Sequence, residues 1–126
     1  MTYKLDTTLN KHTDYVLSLA VMPNGMLASG SQDTTIKIWN RTTSLKFNME
    51  ARQFVGHTAG IKSMTVLEDG CLTSGSIDCS IKIWDLMGNR LKMDLIGHDN
   101  VVSALTTMYD QNLASGSWDK TIKIWV

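Results

Sequence analysis

The chain has 126 residues, of which 43% are hydrophobic and 19% charged, and its 12 basic and 12 acidic side chains give a formal net charge of zero. This composition predicts one folded domain and excludes a disordered chain. Nucleic acids and anionic membranes require a basic surface, so the charge balance argues against both as partners. No apolar run approaches the roughly 20 residues that span a bilayer, and the start of the chain lacks the apolar segment of a secretory signal, which predicts a cytoplasmic, reducing location.

A short segment, residues 3–9, precedes the first of three similar units. In that unit Val16–Val21 is an apolar run closed by Pro23–Gly25, which predicts a strand and a hairpin turn. A second strand, Leu27–Ser31, leads through a turn into a third, Ile36–Trp39. Because this third strand alternates strictly, its Ile side chains lie on one face and its Lys and Trp on the other, and we expect the Lys ammonium to reach water.

The second and third units repeat this pattern. Their first and third strands are predicted at Ile61–Leu67, Val101–Met108, Ile81–Trp84 and Ile122–Trp125. A fourth, outer strand is predicted at residues 89–96 and around residues 50–55, where the composition is more polar, as suits the edge of a sheet.

Four residue types recur at fixed spacing in the three units: each His is followed by Ser 17, Asp 21 and Trp 27 residues later. The twelve residues of these tetrads are His12, Ser29, Asp33, Trp39, His57, Ser74, Asp78, Trp84, His98, Ser115, Asp119 and Trp125. Self-similarity at intervals of 45 and then 41 residues predicts one structural unit used three times, whose copies stack and bury a shared core.

The units resemble the WD40 repeat family over nearly the whole chain. The motifs that carry this resemblance are Gly-His at Gly56-His57 and Gly97-His98, a Leu-Ala/Thr-Ser-Gly-Ser-x-Asp segment, and Ile-Lys-Ile-Trp. In the first unit Lys11 replaces the Gly before His, and only Trp84-Asp85 supplies the dipeptide that names the family.

The resemblance implies an all-β fold of β-propeller blades, with three four-stranded blades in a single unit, residues 1–126. We divide this unit into a strand-bearing segment and three repeats, at residues 1–11, 12–56, 57–97 and 98–126. It also implies that each tetrad is a buried hydrogen-bond chain from Trp to Ser to His to Asp. Indole only donates, carboxylate only accepts, and Ser and His do both, so such a chain leaves no group unpaired.

Ser, His and Asp are also the residue types of a hydrolase triad, which makes a hydrolase the remote alternative. A nucleophilic Ser must be exposed beside an oxyanion hole, whereas a tetrad Ser would be capped by Trp and enclosed between blades. We therefore predict structural tetrads and no enzymatic activity.

No cofactor or metal is predicted, because the His residues already have partners. Cys71 and Cys79 lack the spacing of a metal site or a disulfide framework, so we interpret them as packed free thiols.

Family resemblance further implies a protein- or peptide-binding surface around the channel, here called the narrow face. It comprises the residues three and five places after each His and the residue before each repeated Asp: Tyr15, Leu17, Gln32, Gly60, Lys62, Ile77, Val101, Ser103 and Trp118. Trp118 lies outside the repeat pattern in a tight turn, and exposed aromatic residues are enriched among interface hot spots. The alternative is that Trp118 stacks on a neighbouring blade.

Three blades do not close a propeller, which is typically built from four to eight. Residues 3–9 stand where an outer strand is expected, and Leu9 lies three places before His12, as Phe54 and Leu95 lie before their own His. We expect each chain to donate this strand to the third blade of a neighbouring copy. A trimer with nine blades is favoured, because crowding the inner strands of a six-bladed dimer costs packing energy. The alternative is an engineered or truncated fragment of a larger propeller with a purely structural role.

Overall fold

The structure is a computed structural model that describes residues 1–41 and 47–126. Its strands are β1 (Val16–Val21), β2 (Leu27–Ser31), β3 (Thr35–Arg41), β4 (Phe47–Val55), β5 (Ile61–Val66), β6 (Leu72–Ser76), β7 (Ile81–Asp85), β8 (Arg90–Leu95), β9 (Val102–Thr107), β10 (Leu113–Ser117) and β11 (Ile122–Trp125). No helix in these two ranges is long and apolar enough to cross a membrane.

The strands form three antiparallel sheets. The first has the order β1-β2-β3-β4, the second β5-β6-β7-β8 and the third β9-β10-β11. The sequence predicts four strands in each blade, with the fourth strand of the third blade supplied by another copy. In the single chain the third sheet holds three strands and residues 3–9 form none. A strand needs a ladder partner, and β11, one of the two edges of the third sheet, belongs to the opposite end of the chain.

The hairpins that join the first two strands of each sheet require a left-handed backbone at one position. Gly25 and Gly70 supply it in the first two sheets, with φ angles of 83° and 87°. In the third sheet Gln111 occupies the same place with φ 69°, so this turn forms without glycine at a cost in backbone energy.

Neighbouring sheets pack face to face. The Ile side of the first sheet, with Ile36 and Ile38, packs on Leu72 and Trp84 of the second sheet in one core cluster. Phe54 stacks on Trp84, with their ring centroids 5.1 Å apart. A second cluster unites the corresponding Ile side of the second sheet with Val102, Leu113 and Trp125 of the third. Each inter-sheet core therefore joins the Ile side of one sheet to the Trp side of the next.

One expectation about the third strands needs correction. The Lys37 side chain does not reach open water, because the residue is 6% exposed and its ammonium donates to Gln53 Oε1 at 2.6 Å. In the second sheet Lys82 pairs with Asp94 of the adjacent outer strand. The outer strand supplies an acceptor for the Lys beside each of these Trp residues, and the sequence alone did not reveal this pairing.

Candidate functional site

The tetrad of the second sheet is a continuous hydrogen-bond chain. Trp84 Nε1–H donates to Ser74 Oγ at 2.8 Å, and the Ser74 hydroxyl donates to His57 Nε2 at 2.7 Å. His57 Nδ1–H donates to Asp78 Oδ2 at 2.8 Å. These donor roles follow because the indole has no acceptor and the carboxylate has no proton to donate. The chain links the loop before β5 to the β6–β7 turn.

The first and third sheets have the same geometry. In the first, Trp39 lies 2.9 Å and His12 2.6 Å from Ser29, and His12 lies 2.8 Å from Asp33. In the third, the corresponding distances between Trp125, Ser115, His98 and Asp119 are 2.8, 2.7 and 2.8 Å. The structure thus places all twelve predicted tetrad residues in three equivalent chains.

Each tetrad Asp accepts further hydrogen bonds from its own turn. Asp78 Oδ1 accepts from the Ser80 hydroxyl at 2.6 Å and from the Ser80 backbone N–H at 2.9 Å. Thr58 N–H donates to Asp78 Oδ2 at 3.1 Å. The equivalent hydroxyl donors in the other sheets belong to Thr35 and Thr121. Three side chains that the sequence interpretation did not assign therefore complete the Asp sites.

A second Ser in each sheet was also missed. Ser76 Oγ accepts from Asp78 N–H at 3.0 Å and donates to Gly60 O at 2.9 Å, so it holds the turn against the loop. In the other sheets Ser31 donates to Tyr15 O and Ser117 to Asn100 O, and each accepts from the N–H of its tetrad Asp. A signal was present, because these Ser residues recur 19 places after each His and the hydroxyl donors to Asp recur 23 places after it.

The electrostatics of the second tetrad favour a neutral His57 beside an ionised Asp78. Burial lowers the pKa of His57 from its ordinary value, more than the hydrogen bond to Asp78 raises it. Burial opposes ionisation of Asp78, yet the Ser80 and His57 hydrogen bonds bring its pKa down to about 2. Burial likewise opposes ionisation of Asp33, while hydrogen bonds from Thr35 and His12 hold the pKa of that carboxyl below its usual range.

The tetrad hydroxyls are buried. Ser74 is fully buried, and Ser29 and Ser115 are buried almost as completely. Each Oγ lies between an indole N–H and an imidazole nitrogen, so both its accepting and its donating roles are in use. This arrangement ties strands, turn and loop together, and the buried hydroxyls lack the exposure that a nucleophilic Ser needs.

Metal and thiol chemistry have little support in the described ranges. There, no group of three or more His, Cys, Asp or Glu side chains is placed to hold a metal ion. Cys71 and Cys79 are free thiols, and burial raises the pKa of Cys71 above its ordinary value. A buried thiol with a raised pKa is a poor nucleophile.

The predicted narrow-face residues are paired within each sheet by the backbone. The residue before each tetrad Asp donates its N–H to the carbonyl three places after the His. These bonds join Gln32 to Tyr15 at 2.8 Å, Ile77 to Gly60 at 2.9 Å and Trp118 to Val101 at 3.0 Å. Three turns therefore present their side chains at the same end of the stacked sheets.

The accessibility of the narrow face differs from residue to residue. Tyr15, Gln32 and Trp118 are exposed, and Trp118 keeps 57% of its surface. The half-buried members are Leu17, Lys62, Ile77 and Ser103. Val101 and Gly60 are buried, and the Gln32 and Ile77 side chains lie against Gly60. These two residues shape the face without offering side-chain surface.

Trp118 does not stand alone. The Lys62 Nζ of the second sheet lies 5.8 Å from the centroid of the Trp118 ring in the third sheet, within the range of a cation–π contact. The ring is held beside a cation while much of its surface stays open. An exposed aromatic ring and a neighbouring ammonium form a surface suited to a peptide.

The comparison with protein-family models connects this geometry to known proteins. The model for the WD domain, G-beta repeat, called WD40, matches residues 3–40, 49–85 and 89–126. The chain belongs to the WD40 repeat family. WD40 repeat domains are generally non-catalytic scaffolds that mediate protein–protein interactions. A comparison with curated proteins gives no match.

The matched WD40 segments also locate the repeat along the chain. The second begins inside β4 and the third just before β8, so each contains the outer strand of one sheet and then the inner three of the next. The first begins at residue 3, which puts residues 3–9 in the position that β4 and β8 hold. Each matched WD40 segment therefore begins at or near an outer strand, whereas the division made from the sequence begins each repeat at a tetrad His.

Proposed function

We propose that this chain is a non-catalytic scaffold that binds a protein or peptide on the narrow face and assembles head-to-tail with copies of itself. The observation that carries the binding role is Trp118, an exposed indole on a turn fixed by its bond to Val101 and flanked by Lys62. A rigid aromatic ring gains contact area with little loss of conformational entropy on binding. The free thiols support a location in a reducing compartment such as the cytoplasm.

A random peptide library selected on the full chain tests the binding role. We expect Trp118→Ala to lower the affinity for a selected peptide by about 30-fold, as truncation of a hot-spot residue does. Tyr109→Ala is the matched control, because Tyr109 is an exposed aromatic residue in the β9–β10 turn at the opposite end of the same sheet. Selected peptides that bind wild type and Trp118→Ala equally would contradict this role for Trp118.

Self-association is supported by the segment before the first sheet. Leu9 borders a small cavity of about 90 Å³ together with Trp39 of the first tetrad. Phe54 packs on Trp84 in the corresponding place, and Leu95 belongs to the cluster that contains Trp125. Residues 3–9 thus lie where the outer strand of a preceding blade would lie, and the unpaired edge of β11 is where such a strand would bond.

Native mass spectrometry of the full chain tests this assembly. At 14.0 kDa per chain, three copies give about 42 kDa and two give about 28 kDa, and the trimer is favoured. A chain that begins at residue 10 should lose the assembly, because the edge of β11 then has no partner. Full-length monomers at all concentrations would contradict self-association and favour closure by further blades of a longer chain. They would leave peptide binding by the narrow face intact.

A further inference from the structure

The two outer sheets leave complementary faces uncovered. On the front face of the first sheet, defined by Val16, Leu19 and Val21, all three side chains are exposed. On the back face of the third sheet, defined by Ala104, Ala114, Gly116, Ile122 and Ile124, the two Ile residues are 76% and 52% exposed. Their counterparts inside the stack, such as Ile36 and Ile38, are fully buried. The chain thus carries two apolar half-interfaces.

Within the stack, a β-branched side chain of one sheet packs directly on a glycine of the preceding sheet. A Cβ added to Gly30 would lie 2.6 Å from Ile61 Cγ2, and one added to Gly75 would lie 2.7 Å from Val102 Cγ1. Both glycines are the residue after a tetrad Ser, and both partners are the residue four places after a tetrad His. Only glycine allows the inner strand of the next sheet to come this close.

The same positional rule leaves one glycine and one β-branched residue without a partner inside the chain. Gly116 is the glycine of the third sheet, and Val16 is the residue four places after His12. A Cβ on Gly116 would meet only the Ala104 Cβ, at an ordinary 3.5 Å. Gly116 lies in an open groove of about 270 Å³ whose other lining residues include Ala104, Ala114 and Ile122.

We propose that the back face of the third sheet binds the front face of the first sheet of a second copy, with Val16 of that copy seated on Gly116. This inference rests on the self-association proposed above and specifies its contact. The occupant is a second copy because the two faces are the two halves of an interface that the chain already forms twice, between its own sheets. Neither half is complementary to itself, so the contact is head-to-tail.

A comparison with the polar groups at the two internal interfaces supports an apolar contact on the back face of the third sheet. Ser18 Oγ donates to Ile61 O at 2.9 Å across the first interface. At the second, Ser63 Oγ is buried and has no hydrogen-bond partner among the described residues. At the same position the third sheet has Ala104, so docking on the back face buries no hydroxyl at this point.

Gly116→Val tests the docking contact. Within one chain the added side chain projects into the open groove, so the circular-dichroism spectrum of the sheets should stay as in wild type. Between copies it occupies the place of Val16, and we expect the association constant from native mass spectrometry to fall by about 10- to 100-fold. Val16→Asp should give a similar loss by placing a charge in the contact. Val55→Asp is its control, because Val55 is an exposed Val on the outer strand β4, and its counterpart Ile96 stays 72% exposed although the front face of the second sheet is covered.

A mixture of the two variants makes the test specific for a head-to-tail contact. Gly116→Val retains an intact front face and Val16→Asp an intact back face, so an equimolar mixture should yield pairs of about 28 kDa that neither variant forms alone. Wild-type monomers at all concentrations would overturn both self-association and this docking. Wild-type oligomers whose mass and stability survive both substitutions would overturn the docking alone.

Discussion

At the scale of the residue, each tetrad orders its protons in one direction. Because the indole can only donate, the Ser hydroxyl turns toward His Nε2, and the imidazole proton therefore lies on Nδ1, facing Asp. The carboxylate gains stability from the donors of its own turn. Removing the first donor therefore removes one bond and leaves the remainder of the chain in place.

Trp84→Phe is expected to lower the free energy of unfolding by about 1 to 3 kcal/mol, because the buried Ser74 oxygen loses the indole N–H that donates to it. Urea denaturation followed by circular dichroism at fixed protein concentration measures the loss. Trp118→Phe is the matched control, because its indole lies on an exposed turn, and it should unfold as wild type does. Equal stability of Trp84→Phe and wild type would show that the indole bond contributes nothing.

Acid is expected to destabilise the fold in two successive ranges. The pKa of His57 is lowered in the folded state. Below a pH of about 6.5 the unfolded chain therefore binds a proton more readily than the folded chain, and stability decreases as the pH decreases. The folded pKa of Asp78 is also lowered, to about 2, so a second loss occurs as the pH falls from 3.8 toward 2. Unfolding curves from pH 8 to 2 measure both. A free energy of unfolding that stayed constant between pH 7 and 4 would contradict the His57 contribution.

The tetrads were predictable from sequence because four residue types with complementary donor and acceptor roles recur at identical spacing. The role of Ser76 and its equivalents was not predicted, although they recur equally regularly. Serine is common in turns, and its bonds here go mostly to backbone groups, whose positions depend on the folded loop.

At the scale of the element, the turn between the second and third strands of each sheet carries backbone strain. Thr34, Cys79 and Lys120, each the residue after a tetrad Asp, have φ angles of 75°, 74° and 73°. Left-handed conformations are unfavourable for residues with a Cβ, and most of all for a β-branched one. The turn persists because Ser and Asp bonds hold both of its sides.

Thr34→Gly is expected to raise the free energy of unfolding by about 0.5 to 1 kcal/mol, since relief of left-handed strain outweighs the added entropy of the unfolded chain. Thermal unfolding compares the variant with wild type. Thr35→Gly, one place later, should instead destabilise the protein, because Thr35 Oγ1 donates to Asp33 at 2.6 Å. A loss of stability in both variants would show that the strain at Thr34 is negligible.

Strand positions were largely predictable because alternation and turn residues mark them. The predicted Val16–Val21, Leu27–Ser31 and Ile122–Trp125 have the observed bounds, and the remaining predicted strands given above differ by one or a few residues at their ends. The bounds of the outer strands were predicted less accurately, because these strands are more polar. Some of their polar residues pair with the neighbouring strand, as Asp94 pairs with Lys82. Residues 3–9 form no strand in the single chain, and their pairing with a neighbouring copy stays a prediction.

At the scale of the whole molecule, each uncovered surface at one end of the stack has a counterpart at the other. The front face of the first sheet matches the back face of the third, and residues 3–9 match the open edge of β11. Sequence spacing predicts these correspondences. It does not determine how many copies close a ring, because this depends on the angle between sheets, which side-chain volumes at the contact decide.

The register of the donated strand follows from the two outer strands inside the chain. Ile36 pairs with Phe54 in the first sheet, and Ile81 with Leu95 in the second. Since Leu9 holds the place of Phe54 and Leu95, we expect Ile122 to pair with Leu9 of a neighbouring copy. Lys123 should then face Thr8, as Lys82 faces Asp94.

Cysteine substitution tests this register. Facing residues in antiparallel strands have Cα atoms about 4.5 to 5.5 Å apart, which suits a disulfide. Thr8→Cys with Lys123→Cys should therefore form covalent oligomers in mild oxidant, ending at about 42 kDa for a closed trimer or 28 kDa for a dimer on a non-reducing gel. Thr7→Cys with Lys123→Cys is the matched control, because a shift of one residue turns the side chain to the other face of the sheet. Equal cross-linking in the two pairs would contradict the register, and a covalent ladder without an end point would contradict ring closure.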